Sequence, residues 1–419
     1  MTAQKSARIP AALTFLALLA LPLSACNMDV INPGVVDATT FDPTQDASTL
    51  SLSAQSNLYR AYGTLIYYSA FLSGEAYVGA VRQETNDIGR RVESAATSDV
   101  NTFVWSPLQK SLATNELAIP VLLAGSAAAS DINLARVEMN SGFSLVLMAE
   151  TFCQGDILVG PPLTPAQLLD TAITRFTKAV AVGAAAASAG VAEGTKVVNA
   201  SNVGLARAYL QKGDNAHASQ AAALVPSSFA YNDVTIDDAS NRTLANLVFS
   251  YDIGGNLIVV PDAYRALNDP RVPWKDALKK AQDAGIQYYQ QLKFTSYATP
   301  IRIASGLEAS YIVAEANLKS GDPTAALALI AARRTANGQG AFTGTGTPVI
   351  LAELMNQRAR EFWLEGKHLG DWIRNPAATP FVPATGSTFY KPAQGNFGAS
   401  NCLPVPVAET AANPNFPKP

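Results

Sequence analysis

Between Arg358 and Arg374 the chain reads Arg358-Ala-Arg360-Glu361-Phe-Trp-Leu-Glu365-Gly366-Lys367-His368-Leu-Gly-Asp371-Trp-Ile-Arg374, a dense run of groups able to do chemistry. Glu361 and Glu365 are four apart, so a helix would put both carboxylates on one face. A glycosidase needs two carboxyls about 5–9.5 Å apart across its substrate, and this pair supplies the residue types. The competing reading is structural. Ion pairs among Arg358, Glu361, Glu365 and Arg374 would lock a helix into a platform. It is favoured, because catalytic pairs usually come from different elements that face a cleft, and no catalytic residue is assigned. His368 with Asp371 is at most half of a metal site, and a surface or interface histidine is the expectation. The only other histidine, His217, is far away in sequence, so a zinc site built from several imidazoles within one chain is excluded. Nothing else calls for a metal or an organic cofactor.

Binding without turnover asks for something different: aromatic faces with a few polar groups to fix orientation. Residues 73–105 offer Tyr77, Arg82, Asn86, Asp87 and Trp105, and residues 264–297 offer Trp274, Tyr288, Tyr289 and Tyr297. Tyr77, Arg82, Asp87 and Trp274 are the expected ligand contacts. Such rings suit the C–H faces of sugars, and peptides as well.

The three cysteines divide into one and two. Cys26 follows Lys5, Arg8, an apolar run from Ala11 to Leu21 and Leu23-Ser24-Ala25. A basic start, a short apolar stretch and small residues before the cut describe a secretory signal over residues 1–25. The run is too short to span a bilayer, which takes ~20 residues. The last four positions resemble a bacterial lipoprotein box. That resemblance implies a diacylglycerol on the Cys26 sulfur and an acylated new amino terminus. One acyl chain holds reversibly, at ~0.8 kcal/mol per buried methylene, and two or three hold almost permanently. Cys153 and Cys402 remain, and two thiols of an exported protein are expected to pair as a disulfide.

Composition narrows the class. Removing residues 1–25 takes away Lys5 and Arg8, so the formal charge moves from −3 to −5. No Lys/Arg cluster could track a phosphate backbone, which argues against nucleic acid as a partner. An apolar content of 48% with only 15% charged residues argues for a packed core rather than disorder.

Several elements must position these residues. Pro33, Gly34 and Pro43 mark residues 26–49 as a tether. Helical spacing is read over 50–72, 105–123, 132–152 and 168–182. Residues 73–104 carry little periodicity and read as a long irregular, functional stretch. A partial repeat follows. Ala208-Tyr-Leu-Gln-Lys-Gly213-Asp214 and Ala316-Asn-Leu-Lys-Ser-Gly321-Asp322 each read as a helix, a left-handed Gly stop and an Asp N-cap for a second helix. Pro323 fits the first turn of its helix. These are helical hairpins of tetratricopeptide type, over about 165–226 and 305–375, with a loop-rich insert over about 227–304. Short strands are expected at 257–260 and around 293–303. From Pro376 onward the tail should be loop wrapped on the helical body. The expected fold is mainly α: one domain over 50–419, a tetratricopeptide-like array of helical hairpins with an irregular, loop-rich ligand-facing region and few short strands.

The ordered set of motifs resembles the SusD/RagB-like lipoproteins. Asp29-Val-Ile-Asn-Pro33-Gly34 is similar to the segment after their lipidated cysteine. Glu308-Ala-Ser-Tyr311-Ile-Val-Ala-Glu315-Ala316 and the Arg358–Arg374 run resemble two of their helices. Leu403-Pro404-Val-Pro406 followed by Asn413-Pro414-Asn415 resembles their ending. His368 departs from the pattern, since Arg or Tyr is common there. The resemblance implies a non-catalytic outer-membrane lipoprotein facing outward. It would bind a nutrient oligomer, a glycan foremost or else a peptide, and pass it to a TonB-dependent (SusC-like) transporter. The alternatives are a surface-anchored glycoside hydrolase and a tetratricopeptide-type envelope scaffold.

Overall fold

The computed structural model describes residues 46–417. The signal segment, Cys26, the tether to residue 45 and the Asp29–Gly34 motif lie outside the described residues. The first element, α1 (Ala47–Ser73), covers the helix expected over 50–72 and stops at Gly74, whose φ of 79° is left-handed. After β1 (Tyr77–Val78) and the short α2 (Gln83–Arg90), a π-helical turn over Val100–Trp105 leads into α3 (Ser106–Leu123). The stretch 73–104 is therefore more ordered than its lack of periodicity suggests. Its helix α2 is only eight residues long, too short for an apolar stripe to repeat.

The centre of the main core is α4 (Ile132–Thr151), in which every residue from Leu134 to Thr151 is buried. A helix buried all round must be surrounded by others, and here α1, α3, α5 (Pro165–Ser188) and α6 (Glu193–Gln211) pack on it. Local signals explain the starts. Asp131 caps α4 by accepting from the Asn133 N–H at 2.8 Å. Thr164 and Gln167 form a capping box at α5, with Pro165 in its first turn. The Phe176 ring of α5 is wedged between Gly142 and Gly204, where an added Cβ would lie 2.7 and 2.2 Å from it.

The first hairpin repeat is α6 with α7 (Asn215–Ala223). Gly213 is left-handed, at φ 79°, and Asp214 accepts from the His217 N–H. The second is α10 (Gly306–Lys319) with α11 (Thr324–Ala336), turning at Gly321 with φ 98°. Here the structure shifts the expected cap. Pro323 itself holds the N-cap position, and Asp322 accepts from the Thr324 N–H at 2.9 Å, one residue earlier than in the first copy. Helices α12 (Thr347–Glu361) and α13 (His368–Arg374) extend this half. A second, smaller core forms there from residues that include Tyr311, Ile330, Leu354 and Phe362.

The strands form three separate antiparallel pairs: β1 with β3 (Ile258–Val259), β2 (Ala230–Asn232) with β6 (Arg302–Ser305), and β4 (Trp274–Lys280) with β5 (Gln287–Gln291). The strand expected at 257–260 is present. Around 293–303 only Arg302–Ser305 is a strand, and over 274–291 the β4–β5 pair replaces part of the expected loop-rich insert. Its sequence hides it: β4 is mostly exposed, so it lacks the alternation that marks a half-buried strand. Helices α8 (Leu247–Gly255) and α9 (Asp262–Arg265) complete the insert.

The tail from Pro376 wraps the body as expected, with a short α14 (Val407–Ala412). Its backbone is tied down by Gly398 N–H to Arg90 O at 2.7 Å and Leu403 N–H to Thr151 O at 2.7 Å. Cys153 and Cys402 are joined by a disulfide, with Cα atoms 5.1 Å apart. No helix of the described residues is long and apolar enough to cross a membrane.

Candidate functional site

The turn after α1 builds the site. Gly74 permits a close approach of the tail, since a Cβ there would meet Pro383 Cδ at 2.4 Å. Three residues on, Tyr77 pairs with Val259 across β1–β3. Its ring stacks on Tyr390 of the tail, with centroids 3.8 Å apart and planes 18° from parallel. Tyr390 is pinned because its hydroxyl accepts from the Val78 N–H. Burial pushes the Tyr390 hydroxyl far above the usual range, and it raises Tyr77 as well, so both rings stay neutral.

Two hollows flank this stack. One, of about 500 Å³, is walled by Gly74, Asp262, Phe381 and Pro383; the other, of about 200 Å³, by Val259, Gln287 and Tyr289. Tyr77, Asp262 and Tyr390 line both. Beyond them Arg265 lies over the Tyr289 ring, 3.5 Å from its centroid, and is ion-paired with the exposed Asp262. Trp274 meets Tyr289 edge-on at 5.8 Å. The result is an aromatic surface of Tyr390, Tyr77, Tyr289 and Trp274 with a carboxylate and a guanidinium among the rings. Flat faces beside hydrogen-bonding groups are what a cyclic polyhydroxyl ligand requires.

Of the four expected contacts, the structure brings Tyr77 and Trp274 to this surface. Arg82 and Asp87 line neither hollow. Arg82 pairs with the buried Asp99 and with Glu84, while Asp87 holds Arg90 at 3.1 Å and accepts from Gln83 at 2.7 Å. Both serve the local geometry of α2. Tyr288 points inward to Asp252 at 2.7 Å. Tyr390 and Asp262 escaped the sequence reading. Tyr390 sits in a tail rich in Pro and Gly, where the Phe389-Tyr390 pair was the available signal.

The carboxylates of the Arg358–Arg374 run are ion-paired, as the structural reading expects, but with other partners. Glu361 meets Arg271 at 3.3 Å and Arg333 at 2.8 Å. Glu365 is buried between Lys293 at 2.7 Å and Arg302 at 2.8 Å. Burial opposes the charge of Glu365, but these cations outweigh it and hold its carboxyl below the usual range, so it is no proton donor at neutral pH. Arg358 binds Asp371 at 2.7 Å, and Arg374 binds Glu315 and Asp371. His368 is a correction. It is buried rather than at a surface, with Nε2 2.9 Å from Pro380 O, and burial lowers its proton affinity. Its place beneath the tail could not be read from its neighbours in sequence. Among the described residues no group of three or more His, Cys, Asp or Glu could hold a metal ion.

Comparison with solved structures decides the architecture. A SusD superfamily protein from Parabacteroides distasonis superposes with a TM-score of 0.66 at 13% identity, covering 90% of this chain and 99% of its own. The chain has the SusD-like fold. A SusD-like carbohydrate binding protein from Bacteroides vulgatus gives 0.66 at 14% identity over 90% of this chain and 98% of its own. Surface glycan-binding protein A from Bacteroides thetaiotaomicron, in complex with laminarihexaose, gives 0.67 at 13% identity over 88% and 98%. No family model and no curated protein matches the sequence. In this SusD-like chain the aromatic surface is assembled from the turn after α1, the β4–β5 insert and the tail, segments far apart in sequence that the helical platform holds together.

Proposed function

We propose that this protein is a non-catalytic member of the SusD/RagB-like lipoproteins, anchored through Cys26 to the outer membrane and facing outward. It binds a nutrient oligomer, a glycan foremost, and passes it to a TonB-dependent transporter. The observation that carries the binding reading is the Tyr77–Tyr390 stack between two hollows, continued by Tyr289 and Trp274. The glycan bound by a protein of the same fold supports the ligand class. Against the hydrolase alternative, Glu361 and Glu365 are each held by two cations, which ties both carboxylates into the platform.

The test is calorimetric titration of the mature chain with a panel of neutral oligosaccharides, laminarihexaose included, with product analysis of each mixture. Binding without cleavage is expected. Tyr77→Ala should weaken it by at least about tenfold, the effect of losing a well-packed aromatic anchor. Cleaved product, or a Tyr77→Ala variant that binds like wild type, would overturn the assignment. Pull-down from solubilised outer membrane should recover a large β-barrel, and isolation of the protein alone would remove the transporter from the proposal.

A further inference from the structure

A third hollow of about 570 Å³ lies against the first half of α1, lined by Gln55, Tyr59, Glu193, Lys196, Tyr231 and Asn232 among others. It shares no residue with the Tyr77 surface. The stretch of α1 from Tyr59 to Ser73 rises about 21 Å, so the two places are well separated along that helix.

Its floor has an unspent donor. Tyr59 and Tyr231 are each more than nine-tenths buried. Their hydroxyls lie 3.2 Å apart, and Gln55 Nε2 donates to the Tyr231 oxygen at 2.7 Å. Each phenol carries one proton. If Tyr231 donates to Tyr59, the Tyr59 proton has no hydrogen-bond acceptor among the described residues. If Tyr59 donates, the Tyr231 proton has none. With the Gln55 amide donating, either arrangement leaves one O–H of the pair without an acceptor among the described residues beside the hollow, and a buried donor favours any ligand that supplies one. Around it stand the Gln55 carbonyl, the exposed Asn232 amide and the Glu193 carboxylate. Glu193 is fixed by two bonds from Arg136, at 3.1 and 2.7 Å, and so is neutralised yet still able to accept. Donors and acceptors beside phenolic rings, with Glu193 balanced by Arg136 and the exposed Lys196 as a further donor, suit neighbouring hydroxyls of a sugar ring.

Resting on the carbohydrate-binding reading above, we infer that this hollow is a second carbohydrate subsite, with the spare phenolic O–H of the Tyr59–Tyr231 pair donating to a sugar hydroxyl. A long glycan held at both places would gain avidity from the second contact.

Saturation-transfer NMR with glucose, galactose and mannose tests it on the mature wild-type chain, on Tyr77→Ala and on two hollow variants, Tyr231→Phe and Asn232→Ala. Asn232 is exposed and its side chain makes no hydrogen bond among the described residues, so that variant keeps the test valid if Tyr231→Phe disturbs packing. At least one hexose should still receive saturation in Tyr77→Ala. Combining Tyr77→Ala with either hollow variant should weaken that residual binding about fivefold, as for one lost hydrogen bond. If Tyr77→Ala abolishes every signal while the wild type binds, or the hollow variants leave the residual signal unchanged, the subsite is refuted and the Tyr77 surface stands. If the wild-type chain is silent toward all three hexoses and toward the oligosaccharide panel, the carbohydrate reading falls, and the subsite with it.

Discussion

Glu75 offers a sharp test of how the platform supports the cleft. It follows Gly74 directly, is fully buried, and accepts from the Leu364 N–H at 2.9 Å through one oxygen. The other oxygen has no hydrogen-bond partner among the described residues. Burial, only partly offset by that bond and by Lys293, and reinforced by Asp371 and Glu365, pushes its carboxyl up from 4.5 to about 8. An acid whose folded value exceeds its unfolded value takes up a proton on folding. Its contribution is therefore best below pH 4.5, where both states are protonated. It is lost as pH rises toward 8, and is constant above that. At 1.36 kcal/mol per unit the full swing is on the order of 5 kcal/mol. Gln mimics the protonated acid and keeps the acceptor for Leu364. Glu75→Gln should match wild type near pH 4.5 and exceed its stability by about 3 kcal/mol at pH 7 and about 5 kcal/mol at pH 9. The assay is paired denaturant unfolding across pH 4.5–9. Other raised carboxyls, such as Asp156 and Asp252, titrate in both proteins and cancel in the difference. A gap that stays flat with pH, or has the opposite sign, would refute the reasoning.

Further expectations follow from the packing. Glu315→Gln should cost about 3–5 kcal/mol near neutral pH, because Arg374 and Lys319 lose the buried carboxylate they share. Since those cations hold Glu315 well below the usual range, the wild-type contribution is present at neutral pH and fades only in strong acid, which an acid-denaturation series on both proteins would show. Gly204→Ala drives a methyl into Phe176 and should cost about 1–3 kcal/mol, partly recovered by Phe176→Leu; an unchanged melting curve would contradict the wedge. Cys402→Ser opens a loop with a sequence separation of 249 and should lower stability by about 3–5 kcal/mol, measured against reduced wild type, which should fall equally.

The helical body was legible in the sequence wherever the signal was local. The apolar spacing of 50–72 and the Gly213-Asp214 and Gly321-Asp322 turns act within a few residues of themselves, so a helix and its ends can be inferred without knowing what packs on it. Tyr77 and Trp274 could be picked out as aromatics in polar surroundings, but not their meeting on one surface. What the sequence could not determine is who meets whom across long separations. Arg358 chose Asp371 over Glu361, Glu365 took Lys293 and Arg302, and Arg82 and Asp87 were absorbed by α2. Tyr390 came from the tail to cover Tyr77. Ion-pair partners and ring stacks are set by where rigid helices place side chains in space. Only the packing of the helices around the buried α4 decided that placement, and with it the shape of the hollows.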